Sequence, residues 1–561
     1  MVAKYAGTHS NRALWAILLA TACILFTSRP AFSQAQDVDQ QKTTISGAVI
    51  NSVTHAPVMR ALVVSGDNRY AMLTDSTGHF EFDLINTGSP TDRVVWLSAR
   101  KPGFLLQGDQ QVNAVPGQDV TLPLTPEALI VGRVTLSTGD TPAGLTVQLL
   151  SRQTIDGLPK WSQTATSQPN SAGEFRFADL APGSYKLVTT EMLDNDPDAI
   201  LGGPAFGFAP VFYAGASDFA SASTIELTAG QTVQADLSLT RQPYYPVKIP
   251  LHGDTSGPGV MVDVALQGHK GPGYSLGYNL AEHRIEGLLA NGNYVVTVTS
   301  FGNESSSGSV NIKVAGGPVD GPPVNLIPNS TIAVNLKEEL TGTQTDNSNS
   351  GISTVIINGR PQPISLRSPR MTLHARVEPA DDFSQFVNAT ERPPSSPTDE
   401  SIMLGVPPGR YWLRLTSNRG YIASATMGTA DLLHQPLVIG PSSSTSVDVV
   451  TRDDYATVEG SVSGIPTAEA NQPSMLTVAW IYFVPLTDGS GEFQQVGSTD
   501  GKFNNTLPPG SYRVMAFQHP HPNLPYRDPE AMRGYENRGQ VIHLEGGQKT
   551  NLQLQLITSD E

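Results

Sequence analysis

Apolar and polar residues alternate along most of this chain with a period of two. "IELTAGQTVQADLSL" (Ile225–Leu239), "LVIGPSSSTSVDVV" (Leu437–Val450) and "VIHLEGGQKTNLQLQL" (Val541–Leu556) each place apolar residues on one face of an extended segment, around a Gly- or Ser-rich turn. Such segments predict antiparallel strands with one face buried. A second pattern is a recurring phrase. "LAPGSYKLV" starts at Leu180, "LLANGNYVVTV" at Leu288, "VPPGRYWLRL" at Val406 and "LPPGSYRVMAF" at Leu507. The spacing is roughly 100 to 120 residues, the length of one β-sandwich.

The phrase reads as strand, turn, strand. Pro–Gly suits the centre of a type II turn, because proline fixes φ and glycine accepts a positive φ. After the turn, Tyr185 and Leu187 share a face with Lys186 opposite. Tyr512 and Val514 do the same with Arg513 opposite. Tyr411, Leu413 and Leu415 leave Trp412 and Arg414 outward. The tyrosine is therefore expected in the core, its hydroxyl reaching backbone near the turn, and not in catalysis.

Composition agrees with short strands and tight turns. The 561 residues include 52 Gly and 43 Pro, and only 15% are charged. The formal net charge of −16 disfavours nucleic acid and anionic membrane surfaces as partners. Lys4 and Arg12 precede an apolar run, "ALWAILLATACILF", and "PAFSQAQ" offers Ala31 and Ser33 at a small-residue cleavage site. Residues 1–33 thus read as a signal peptide, which implies export to the periplasm, cell surface or medium and no membrane span in the mature chain. The one cysteine, Cys23, lies in that leader, so the mature protein would have no disulfide, thiolate site or thiol nucleophile. Ala20 three residues before it argues against a lipoprotein.

Further motifs point to a family. "ISGAV", "APV", "TDSTGHFEF" and "KPGF" between Ile45 and Phe104 resemble the carboxypeptidase regulatory-like domain, a transthyretin-like β-sandwich akin to Cna B-type repeats and starch-binding-like folds. "IVGRV…AGEFRFADLAPGSY" (Ile130–Tyr185) and "VEGSV…TDGKFNNTLPPGSY" (Val458–Tyr512) resemble it too. The two middle units share only the turn and strand. The layout is similar to multi-repeat secreted proteins of acidobacterial type. The resemblance implies no peptidase residues and no cofactor.

We therefore expect an all-β chain of about five tandem Ig-like or transthyretin-like sandwiches. The expected bounds are 43–125, 127–241 (with a loop insertion at 192–222), 243–328, 330–451 (with polar loops at 341–353 and 391–400) and 455–557. Interfaces between such domains are expected to be small.

Candidate chemistry is sparse. "GYSLG" puts Ser275 in the position of a hydrolase nucleophile, but a strand-to-helix elbow is not expected there. "HRIE" offers His283 and Glu286 in a zinc-peptidase spacing, on diverging faces of a strand. Asp194, Asp196 and Asp198 resemble a calcium loop, yet Ala199 and Ala205 stand where an EF-hand needs Gly and Glu. His519 and His521 lie in a proline-rich loop without a third ligand nearby. Lys248, Glu286 and Asn325 could form an isopeptide cross-link only if Lys248 and Asn325 faced inward, and alternation turns both out. Trp161 and Trp412 are candidate sugar platforms, with packing at domain junctions the preferred alternative for both; Trp96 and Trp480 read as core. The expected function is a non-catalytic binding or structural protein of the cell envelope or extracellular space, with carbohydrate as the suggested ligand. The alternatives are a scaffold or protein-interaction array partnering an outer-membrane receptor and, less favoured, a hydrolase or its accessory subunit.

Overall fold

The computed structural model describes residues 43–558 apart from 85–94, 106–111, 195–204, 268–272, 342–351, 366–372, 384–388, 393–400, 466–478 and shorter loop stretches. The leader, Cys23, Asp196 and Asp198 lie outside the described residues. The fold is all-β: apart from the single turn of helix Pro529–Met532 and a 3-10 turn, Arg533–Tyr535, the described elements are strands. No helix among the described residues is long and apolar enough to cross a membrane.

The chain forms two compact units, one holding the first sandwich and the other the remaining four. In the first sandwich, Thr43–Asn51 pairs between His79–Leu84 and Asp119–Leu124. A second sheet runs Ala71–Leu73, Leu62–Ser65, Val95–Arg100 and Val112–Ala114. The second sandwich repeats this plan. One sheet orders Leu158–Ser167, Val147–Ile155, Gly183–Thr189 and Ile225–Leu227; the other centres on Ala128–Leu136. The third sandwich is joined to the second by hydrogen bonds. Its strand Arg241–His252 pairs antiparallel with Ala205–Phe208, which belongs to the second sandwich's insertion. The fourth sandwich packs its six-stranded sheet against Leu373–Pro379, Gly409–Ser417 and Leu437–Ile439. The fifth wraps strands from Ala456–Ser463 to Lys549–Ile557 around a core including Phe483, Phe503 and Tyr512.

Two local devices recur, and each has a steric cause. The first is the tyrosine after the turn. Tyr185, Tyr294 and Tyr512 donate their hydroxyls to the carbonyls of Ala181, Ala290 and Pro508, four residues back, at 2.8, 2.9 and 2.8 Å. Tyr411 makes the weaker variant, 3.4 Å to Pro408. Glycine two residues earlier makes room for the ring: a Cβ on Gly409 would lie 2.6 Å from the Tyr411 hydroxyl, and one on Gly292 3.0 Å from the Tyr294 ring. Gly183 and Gly510 adopt φ of +155° and +147°, more extended than the left-handed position of the expected type II turn. We expect Tyr512→Phe to destabilise the fifth sandwich by about 1 kcal/mol, and Tyr411→Phe the fourth by less, because the first hydrogen bond is fully buried and better formed. Amide exchange protection within Gly510–Phe517 and Gly409–Ser417 of the two variants measures this.

The second device is a glycine facing a phenylalanine across two strands. Gly47 pairs with Phe80, Gly132 with Phe175 and Gly460 with Phe503. Each ring fills the space above its glycine, where a Cβ would come within 2.9, 2.6 and 2.4 Å of the ring tip. The turn before the phenylalanine is closed by an Asx side chain. Asp75 accepts from the amides of Thr77 and His79, and Asn170 from those of Ala172 and Glu174. These donors, led by the Thr77 hydroxyl, hold the Asp75 carboxyl below its usual range.

Alternation misjudges two strands. Lys186 and Arg513 were expected outward, yet Lys186 is buried and Arg513 half-buried. In both cases chain from elsewhere covers the second face: Phe219 and Trp161 above Lys186, and an aromatic layer with Leu524, Tyr526, Met532 and Tyr535 in the fifth sandwich.

Candidate functional site: a junction of three sandwiches and the tryptophans

The hairpin of strands Val147–Ile155 and Leu158–Ser167 turns on Asp156 and Gly157, with φ of 49° and 74°. Both central residues are left-handed, as a two-residue Asp–Gly hairpin requires. This tip reaches two other sandwiches. Asp156 Oδ2 lies 2.6 Å from Arg414 Nη2 in the fourth and 3.3 Å from Arg527 Nη2 in the fifth, and Asp156 Oδ1 accepts from the Tyr526 hydroxyl. The Arg527 amide donates to the Gly157 carbonyl at 3.1 Å. The Tyr526 ring lies on the turn itself, where a Cβ on Gly157 would come within 2.6 Å of it. Arg414 is shared: its Nε meets Glu378 Oε2 at 3.1 Å, and its side chain is only 12% exposed.

Beside this polar hub lies an apolar one. Lys160, 4% exposed, donates to the Pro379 carbonyl at 2.7 Å; burial pushes its ammonium pKa down against the pull of Glu378. Trp161 is 9% exposed, forms a parallel bridge with Phe383, and meets Phe219 edge-on at 5.7 Å. Phe219 in turn meets Phe383 at 5.5 Å. Lys186 Nζ caps the cluster, 4.4 Å from the Phe219 ring centre and 2.8 Å from its carbonyl.

Trp161 and Trp96 occupy contrasting places. Trp161 sits inside the junction. Trp96, read as core, is 49% exposed: Leu97 and Ala99 take the inward positions of its strand. Its partners across the sheet are Asn113 by register and Gly66, whose amide donates to the Trp96 carbonyl at 2.7 Å. Trp412 is half-buried beside Arg414, whose guanidinium carbon is 5.9 Å from the ring. Trp480 is partly buried against the aromatic layer of the fifth sandwich.

The other candidates have structural partners. Ser275 Oγ lies 3.4 Å from Glu191 Oε2, and residues 277–279 after it form a strand, not a helix. His283 is exposed and meets the Tyr278 hydroxyl at 3.2 Å, whereas Glu286 is held by Asn279 and Arg284. Lys248 and Asn325 are exposed. Asp194 pairs with Arg241 at 2.7 Å. His521 packs on Phe517 at 4.3 Å and His519 is exposed. Among the described residues no group of three or more His, Cys, Asp or Glu could hold a metal ion. A polar groove of about 690 Å³ crosses the second sandwich, lined by planar side chains that include Arg133, Asn170, Glu174, Arg176, Gln234 and Asp236. They are paired within it, Arg133 to Glu174 at 3.0 Å and Gln234 to Asp236 at 2.6 Å.

Sequence reasoning missed Asp156, Arg414 and Glu191. "IDGL" between two alternating runs marks the hairpin. Its partners at residues 414 and 527 leave no local trace.

No family model and no curated protein sequence matches the chain. Solved structures match it at low similarity. A streptococcal ancillary pilin is 12% identical, over 50% of this chain and 99% of its own, with a TM-score of 0.18. The minor pilin GBS52 of Streptococcus agalactiae is 12% identical over 35% and 96%, TM-score 0.19. The Bacillus anthracis TIE protein is 11% identical over 77% and 74%, TM-score 0.14.

Proposed function

We propose that this chain is an exported, non-catalytic structural and binding protein of the cell envelope or extracellular space, built from carboxypeptidase regulatory-like sandwiches. The junction at Asp156 carries the reading. Lys160 and Arg414 are largely buried charged groups that reach from one sandwich to another, which is the work of a scaffold. The Gly–Phe device in the first, second and fifth sandwiches supports the family resemblance. Carbohydrate is the ligand class favoured by the exposed indole of Trp96, whose apolar face suits a pyranose ring, and by the groove of planar amide and guanidinium groups.

The test is retention of the purified protein on soluble and insoluble polysaccharides at low and high salt. Salt-resistant binding that Trp96→Ala or Trp412→Ala weakens at least tenfold supports a sugar-binding scaffold. Absence of retention on every glycan overturns the carbohydrate reading and leaves a protein-interaction array. Trp161→Ala is expected to loosen the junction instead, read as faster proteolysis, since it removes a buried aromatic from between sandwiches.

A further inference from the structure

Glu191 follows the Tyr185 strand of the second sandwich and points at the third. Its Oε2 lies 3.3 Å from the Ser275 amide and 3.4 Å from the Ser275 hydroxyl. Its Oε1 and the hydroxyl of Tyr244 are both buried without an aligned hydrogen bond among the described residues. Tyr244, 2% exposed, stands on the strand Arg241–His252, opposite Ala205 on one side and Ala290 on the other. Its ring covers Gly207, where a Cβ would come within 2.9 Å of it. The carboxyl therefore sits under the seam that joins the two sandwiches.

Among the described residues no cation compensates it. From Arg241–His252 it faces Tyr244, from the loop before Gly277 it faces Tyr274 and Ser275, and from Gly292–Phe301 it faces Tyr294. The Tyr294 hydroxyl is committed to Ala290. Arg241, on the same seam, is engaged with Asp194 and lies 4.0 Å over the Phe206 ring.

We propose that Glu191 is a protonation-controlled latch: as a neutral acid it lets the second and third sandwiches close over it, and as a carboxylate it loosens the seam between Ala205–Phe208 and Arg241–His252. A neutral carboxyl carries a proton that it can donate to a buried neighbour; an ionised one leaves an uncompensated charge at the seam. Burial raises its pKa to about 7, with the Ser275 donors and the Tyr244 hydroxyl opposing. The folded pKa lies above the unfolded value, so the stability it confers is complete at acid pH and lost as pH rises through about 7. A junction that tightens in acid is a device open to any protein that meets unbuffered surroundings.

Amide hydrogen exchange of the full chain at pH 5.5 and 8.5, corrected for intrinsic rates, tests this. The amides of residues 205–208 and of Gln242 and Tyr244 in the wild type should lose about tenfold or more of their protection at the higher pH. Glu191→Gln, fixed in the neutral form, should keep it. Ser275→Ala removes a donor that favours the carboxylate, so the midpoint of the loss should move to higher pH. Equal wild-type protection at both pH values, a Gln variant that follows the wild type, or an unmoved midpoint in Ser275→Ala overturns the latch.

Discussion

Gly132→Ala should destabilise the second sandwich by about 3 kcal/mol, out of proportion to one methyl group. The added Cβ would stand 2.1 Å from the Ala235 carbonyl oxygen and 2.6 Å from the tip of Phe175. Phe175 could turn aside, but the carbonyl is backbone. It belongs to the residue whose amide donates to Val131, so moving it breaks the parallel pairing of Thr232–Gln234 with Ala128–Leu136. Gly259 is the control: nothing lies within 4 Å of its Cβ position, and Gly259→Ala should change stability by no more than about 0.5 kcal/mol. A chain of several sandwiches does not unfold in two states, so the measurement is exchange protection within Ala128–Leu136. Wild-type protection in Gly132→Ala would show that the strand can slide, and that the Gly–Phe pair is not a steric requirement.

Asp156→Ala should open the three-sandwich junction at a cost of about 2 kcal/mol. The value is below the ~3–5 kcal/mol of a fully buried ion pair, because Asp156 is about one-third exposed and Arg414 retains Glu378. Arg527 would lose a carboxylate and Tyr526 a hydrogen-bond acceptor at once. A double-mutant cycle with Arg414→Ala separates this interaction from the cost of each truncation: coupling near 2 kcal/mol is expected, and additive effects would reduce the contact to mere proximity. Asp156→Asn should recover part of the loss, since an amide oxygen still accepts from Tyr526.

The all-β class was legible because glycine, proline and period-two alternation all speak about the backbone, which is local. The tyrosine-to-turn hydrogen bond was legible for the same reason: donor and acceptor lie three or four residues apart. What covers a strand's second face is not local. Alternation assigns Lys186 to the face opposite Leu187, correctly, yet cannot know that Phe219 and Trp161 lie over it. The same blindness put Trp96 inside. Its neighbours Val95 and Leu97 are apolar, so the run reads as core, though a strand with one inward face must turn every second residue out. Glu191 is harder still. One acidic residue at the end of "YKLVTTE" looks like a strand leaving the core, and only the arrival of Tyr244 and Ser275 buries it.

The reach of the Asp156 hairpin also bears on how the protein comes to be folded. Tyr526 lies 370 residues from Asp156, and Pro379 lies 219 residues from Lys160. A chain delivered from its N-terminus can form both sheets of the second sandwich long before either partner emerges, since their strands all lie before residue 240. Until then the hairpin tip and the Trp161 surface must wait in water. The fifth sandwich is therefore the one that covers this tip: the segment around Tyr526 closes a junction prepared hundreds of residues earlier.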